Sequence, residues 1–233
     1  MSIHDGHRQR LKERFRQEGL DNFDDLYVLE LLLFYCIPQK DTNPLAHRLL
    51  DMFGSLAGVL GASATELEKV EGVGKNVSTF LTLITQTGRF YQKNRSKPGE
   101  ILQNIDQCAK FLAPDFYGRE QEVVFMLCLD AKCKVLCCKK VGDGSVNSAS
   151  IPIRRTVEIA LATNATTVVL AHNHPSGLAI PSADDIQTTH RIAAALAAVE
   201  ITLADHIVFG RDDDYVSMVQ SQYYNPQDTY SVR

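Results

Sequence analysis

Apolar residues recur at three- and four-residue intervals through the first third of the chain. The segments "LYVLELLLFYCI" (26–37) and "PLAHRLLDMFGSLAGVL" (44–60) both carry this helical spacing, the second interrupted at Gly54. "TELEKVEGVGKNVSTFLTLITQTGRFY" reads as helix, glycine-rich turn, helix. The N-terminal region is therefore expected to be all-helical, over 1–93. The polar run "YQKNRSKPGE" (91–100), with Pro98 and Gly99, breaks the pattern and predicts a linker over 94–105.

Beyond it the periodicity becomes mixed. "EVVFMLCLD" (122–130) and "KVLCCKK" (134–140) predict a β-hairpin. "RRTVEIALATN" (154–164) predicts a helix with Asn164 near its end. "TTVVLAHNH" (166–174) is a β-branched, buried strand, and "SADDIQTTHRIAAALAAV" (182–199) a long helix. "ITLADHIVFG" and "YVSM" complete the strands. Strands interleaved with helices imply an α/β (α+β) domain over 106–220, a mixed sheet flanked by helices. The polar stretch 221–233 predicts a frayed tail.

The composition is that of a soluble globular chain: 233 residues, 45% hydrophobic, 22% charged, net charge −4. No apolar run is long enough to span a membrane. The opening "MSIHDGHRQRLKERF" lacks the apolar core of a secretory signal, so the expected compartment is cytoplasmic. In that setting Cys36, Cys108, Cys128, Cys133, Cys137 and Cys138 are expected as reduced thiols. The four in 128–138 fall on apolar strands, without the paired C-x-x-C knuckles of structural zinc. Charge is balanced, 12 basic and 12 acidic residues over 1–95 and 12 against 16 in the rest, so nucleic-acid contact would have to be local.

The stretch "AHNHPSGLAIPSADD" (171–185) carries the chemistry. On a strand, residues two apart share a face, so His172 and His174 project together. Pro175 ends strand pairing. Ser182 is a good helix N-cap, and Asp185, three positions on, falls in the first turn, where it can point back toward the strand end. Two imidazoles and a carboxylate form a three-ligand metal set with an open position, the arrangement of catalytic zinc. A plain capping box accounts for Ser182 and Asp185 without a metal, though not for the two histidines. Asn173, Asp205 and His206 are candidates to hold the second ring nitrogens of the ligating histidines.

"HNHPSGLAIPSADD" matches H-x-H-P-x6-S-x-x-D and so resembles the metal signature of the JAMM (JAB1/MPN/Mov34) superfamily. Together with "GDGSVNSASIPIRRTVEIALATNATTVVLA", "LADHIVFG" and the N-terminal "GHRQRLKERF" and "FGSLAGVLGASATELEKVEGVGKNV", nearly the whole chain resembles the RadC (UPF0758) family. The resemblance implies a JAB/MPN architecture, like that of cytidine deaminases, and one Zn2+ per chain on His172, His174 and Asp185. It implies hydrolysis of a peptide or isopeptide bond in a protein or peptide substrate. Ser182 would assist the oxyanion, and Glu122, rather than Glu120, would be the general acid/base. The other reading is a DNA-repair accessory protein whose zinc centre is not hydrolytic. The H-x-E and P-C-x-x-C signature of zinc deaminases is absent.

"LEKVEGVGKNV" (67–77) resembles a helix-hairpin-helix element. Gly72 and Gly74 would let backbone N–H groups approach a DNA phosphate without reading bases, with Lys75 adding charge. Arg8, Lys12 and Arg16 would share one helix face, as a phosphate stripe or as solvated surface. His4 and His7 show no partner in the sequence, and the oligomeric state is not encoded in any visible motif.

Overall fold

The structure, a computed structural model, describes residues 3–95, 99–143, 151–175, 177–211 and 214–230. Much of "GDGSVNSAS", the residues 96–98 of the expected linker, Ser176 and the last three residues lie outside the described residues. The chain divides into two compact units, 1–88 and 89–233.

The first unit is helical: α1 (Ile3–Glu18), α2 (Asp25–Cys36), α3 (Asn43–Phe53), α4 (Leu56–Gly61), α5 (Ala64–Leu67) and most of α6 (Lys75–Arg95). Local chemistry sets the boundaries. Asp24 accepts the Tyr27 N–H at 2.8 Å to start α2. Gly54, at φ +79°, ends α3, and Ser55 caps α4. Leu29, Leu33, Leu49, Leu67 and Leu81 are fully buried at the centre.

Arg8 is not part of a phosphate stripe. Its guanidinium donates to the carbonyls of Ile37 (2.9 Å), Pro38 (2.8 Å) and Lys40 (2.7 Å) and lies over the Phe34 ring. Those carbonyls lie at and beyond the C-terminal end of α2, where a cation is favoured. Lys12 sits over Tyr35, and Arg16 lies 3.9 Å from Glu13. His7, for which the sequence offered no partner, lies 3.3 Å from the carboxylate of the buried Glu30.

The second unit holds a five-stranded sheet in the order β2-β1-β3-β4-β5. The strands are β1 (Val123–Leu129), β2 (Val135–Asp143), β3 (Thr167–Asn173), β4 (Thr202–Phe209) and β5 (Tyr215–Ser217). Among the described residues only β3 and β4 pair in parallel; the other pairs are antiparallel, so the sheet is mixed and the class α+β, as the periodicity predicts. The even-numbered Val124, Met126, Val168, Leu170 and Val208 pack with Ala160 of α8 (Ile153–Ala162) and with Ile192 and Leu196 of α9 (Ala183–Ala197). The odd-numbered Phe125, Leu127, Val169, Ala171 and Phe209 pack with Leu112 and Phe116 of α7 (Ile105–Phe116). Burial on both faces explains why β1 reads as a continuous apolar run. The six cysteines are free. Cys128 pairs across the ladder with Cys137, and burial pushes its thiol up to about 12, as expected of a core hydrophobe.

Three expectations change. Residues 99–102 belong to the sheet unit: Gly99 N–H donates to Val135 O (3.1 Å), Val135 N–H to Glu100 O (2.8 Å) and Leu102 N–H to Cys133 O (2.9 Å). Helix α7 was not foreseen; Asn104 caps it, and Pro114 lies within its last turn. The tail is not frayed over its described part. Tyr224 is buried with its hydroxyl donating to Leu203 O at 3.0 Å, and a 3-10 turn, Pro226–Tyr230, follows.

Candidate metal centre

Strand β3 carries His172 to the edge of the core. The backbone N–H of His174 donates to Phe209 O (2.8 Å), extending the pairing with β4 by one residue. The chain then crosses to Ser182, whose extended backbone starts α9. A reciprocal cap forms there. Ser182 Oγ accepts the Asp185 N–H (3.2 Å), and Asp185 Oδ2 accepts both the N–H and the hydroxyl of Ser182, each at 2.7 Å. The cap fixes the rotamer of Asp185 and aims its carboxylate at β3.

Among the described residues, His172, His174 and Asp185 form the one group of three potential ligands whose donor atoms converge. His172 Nε2 lies 3.0 Å from His174 Nε2 and 3.3 Å from Asp185 Oδ1, and His174 Nε2 lies 3.5 Å from Asp185 Oδ2. Ligand atoms about 2.0–2.1 Å from a tetrahedral ion are separated by roughly 3.3–3.4 Å. The side chains therefore stand at coordination spacing.

Hydrogen-bond direction supports the same conclusion. His174 Nδ1 lies 3.2 Å from the Leu178 carbonyl, which can only accept, so Nδ1 carries the proton and Nε2 a lone pair. That Nε2 lies 3.0 Å from His172 Nε2 and faces the Asp185 carboxylate, so a shared proton or a metal ion satisfies the cluster. His172 and Asp185 are buried and His174 half-buried. Burial holds the His172 imidazole below its ordinary pKa, whereas the hydrogen bond to Asp185 holds His174 above it. Burial alone would raise the Asp185 carboxyl, but the two facing imidazoles and the Ser182 hydroxyl prevail and hold it far below the usual carboxylate range.

Glu122 stands immediately before β1. Val124 pairs with His172 in the antiparallel ladder, so continuing the register by two residues sets Glu122 opposite His174 and on the same face. Its charge favours the protonated form of both imidazoles. Asn173 locks this end of the ladder: its Oδ1 accepts the Val123 N–H (2.9 Å), and its Nδ2 donates to Gln121 O (3.3 Å). Glu120 is exposed and lies two residues further from the ladder.

Of the other expected partners, His206 does meet a metal-facing histidine. Its Nε2 lies 2.8 Å from His172 Nδ1. Asp205 does not; its carboxylate accepts its neighbour's N–H (His206, 2.7 Å), the Val219 N–H (3.1 Å) and the Ser217 hydroxyl. Sequence reasoning missed Thr189, which lies 2.6 Å from His206 Nδ1 and whose signal was its position four residues after Asp185, on the same helix face.

The helix-hairpin-helix-like turn lies in the other unit. Gly72 has φ +95°, which only glycine adopts easily. Gly74 does not have a positive φ, and a Cβ there would meet nothing within 4 Å. Lys75 is exposed at the first turn of α6, and no side chain of residue 74 exists to cap the helix.

A mixed sheet whose strand tip and following helix assemble this ligand set defines a JAB-type domain. The RadC-like JAB domain family matches residues 102–223. A UPF0758 protein of Fusobacterium nucleatum is 34% identical over 222 residues, covering 92% of this chain and 95% of the relative. Another UPF0758 protein, of Ruegeria pomeroyi, is 35% identical over 205 residues, covering 88% and 92%. The chain belongs to the RadC family. No helix among the described residues is long and apolar enough to cross a membrane.

Proposed function

We propose that the chain is a zinc-dependent hydrolase of the JAMM type, with one Zn2+ on His172, His174 and Asp185, acting on a peptide or isopeptide bond. The observation that carries the reading is the convergence of the three donor atoms beside the register position of Glu122. When bound, the ion supplies Lewis acidity, polarising a carbonyl and acidifying water. Two neutral imidazoles and a carboxylate leave it a net positive charge with which to do so.

Glu122 takes the proton of the attacking water and delivers it to the leaving amine. Asp185 is committed to the cap and the ligand position, so a separate carboxylate has to carry the proton. Ser182 has two calls on its hydroxyl. It donates to Asp185 Oδ2, and turning that proton toward the substrate oxygen assists the oxyanion.

Profiling a peptide and isopeptide library, with and without a chelator, tests the reading. Glu122→Gln is expected to keep its zinc and to lose turnover by about 10²–10⁴-fold. Chelator-insensitive cleavage, or full activity in that variant, removes the mechanism. A DNA-associated protein with a non-hydrolytic centre is the second reading. Its support is the glycine-led start of α6, with Lys75 exposed and open space at Gly74. In that case the protein retains DNA on a filter and cleaves nothing in the library.

A further inference from the structure

Thr189 and His206 form a hydrogen-bonded chain behind His172 that has a direction. Thr189 Oγ lies 2.6 Å from the Asp185 carbonyl, one helical turn back. The carbonyl can only accept, so the Thr189 hydroxyl donates to it. Met218 Sδ, at 3.6 Å, is a weak competitor for that proton. With its single proton spent, Thr189 Oγ accepts from His206 Nδ1, 2.6 Å away. A neutral His206 then has a bare Nε2, and at 2.8 Å this accepts from His172 Nδ1–H. His172 is left with its Nε2 lone pair toward His174 and Asp185. His172, Thr189 and His206 are fully buried, so water does not supply an alternative partner.

We infer that Thr189, through His206, fixes the tautomer of His172 and thereby presents its Nε2 lone pair at the metal position before any ion arrives. The inference deepens the metal reading and rests on it. Thr189 and His206 are positioning residues, since neither touches the ion or substrate. The chain starts from the backbone of α9, whose Asp185 side chain is itself a ligand. One helical turn thus supplies a ligand and orients another. Without the Thr189 hydroxyl, His206 can hold its proton on Nε2. That proton would point at His172 Nδ1 and drive the His172 proton to Nε2, where it blocks the ion.

Two substitutions separate this role from packing. Thr189→Val preserves shape and deletes the hydroxyl; Thr189→Ser keeps the hydroxyl and deletes a methyl group. Zn2+ affinity, measured by competition with a chromophoric chelator, is expected to fall about 10–100-fold in Thr189→Val and to stay within about threefold in Thr189→Ser. A packing role predicts the opposite ranking, with the serine variant weaker. Equal loss in both, or none in Thr189→Val, overturns the inference. Imidazole 15N spectra of the chelator-treated wild-type chain at about pH 8, where an ordinary histidine is neutral, give a readout that needs no metal. A proton on His172 Nδ1 is expected, and one on Nε2 overturns the inference. Failure of the wild-type chain to bind Zn2+ defeats the proposed function instead, and the nitrogen spectra then decide this point alone.

Discussion

Two helix starts, one in each unit, use the same physics to different ends. Helix α6 opens after Gly74, which has no side chain to offer its first N–H groups. Helix α9 opens at Ser182, and its capping box takes up the Asp185 N–H with a serine hydroxyl and the Ser182 N–H with an aspartate carboxylate. The first start has no such side chain at its leading residue. The second is closed by a reciprocal pair of bonds, and what it gains is a rigid mount: Asp185 can turn in neither direction without breaking a bond to Ser182. A glycine-led end suits contact with an exchangeable phosphate, whereas a capped one suits a ligand that must already be in place.

The largest effect should come from removing the mount. Asp185→Ala is expected to abolish Zn2+ binding, seen as loss of about one ion per chain in metal analysis, and to cost about 1–2 kcal/mol in denaturant unfolding from the lost cap. Acid should act next. In the metal-free protein the bond to Asp185 holds His174 above the ordinary histidine pKa, so the ion has to displace a proton from it. Zn2+ affinity should therefore fall about tenfold per pH unit below that raised value and level off above it. His172, held low by burial, competes only at still lower pH. Calorimetry in buffers of different ionisation enthalpy would register the released proton; an affinity flat across the histidine range contradicts the assignment.

The glycines of the hairpin should separate more modestly. Gly72→Ala is expected to destabilise the first unit by about 1–2 kcal/mol, because an alanine at φ +95° is strained and its Cβ would lie 3.1 Å from Arg48 Nη2. Gly74→Ala has room and should change stability by less than about 0.5 kcal/mol. If α6 holds a phosphate, that nearly neutral substitution should still weaken retention of DNA on a filter, and Lys75→Ala should reduce its salt dependence. Unchanged retention in both variants would leave α6 as a packing helix.

Much of the sheet unit was legible because burial imposes a period. The hairpin, β3 and α9 each show it, and the i, i+2 spacing of His172 and His174 and the three-residue step from Ser182 to Asp185 follow from strand and helix geometry. Stretches held by backbone bonds to distant partners were not legible. Residues 99–102 pair with 133–135 through main-chain atoms, which leave no trace in side-chain pattern. Helix α7 was obscured by Pro114, which lies inside it and gives up one backbone N–H. In the first unit Arg8 looked like part of a basic face; its role depends on carbonyls about thirty residues away. The chain from His172 through His206 to Thr189 spans three elements, and only coordinates can give it a direction.

His172, His174 and Asp185 are proposed to share one ion. Titration of chelator-stripped protein with Zn2+, wild type beside His174→Ala, tests this most directly. A single tight site of about one ion per chain is expected, absent in the variant and releasing a proton on filling only below the raised His174 value. A wild-type chain that takes up no ion, or a His174→Ala chain that takes up as much, would contradict it.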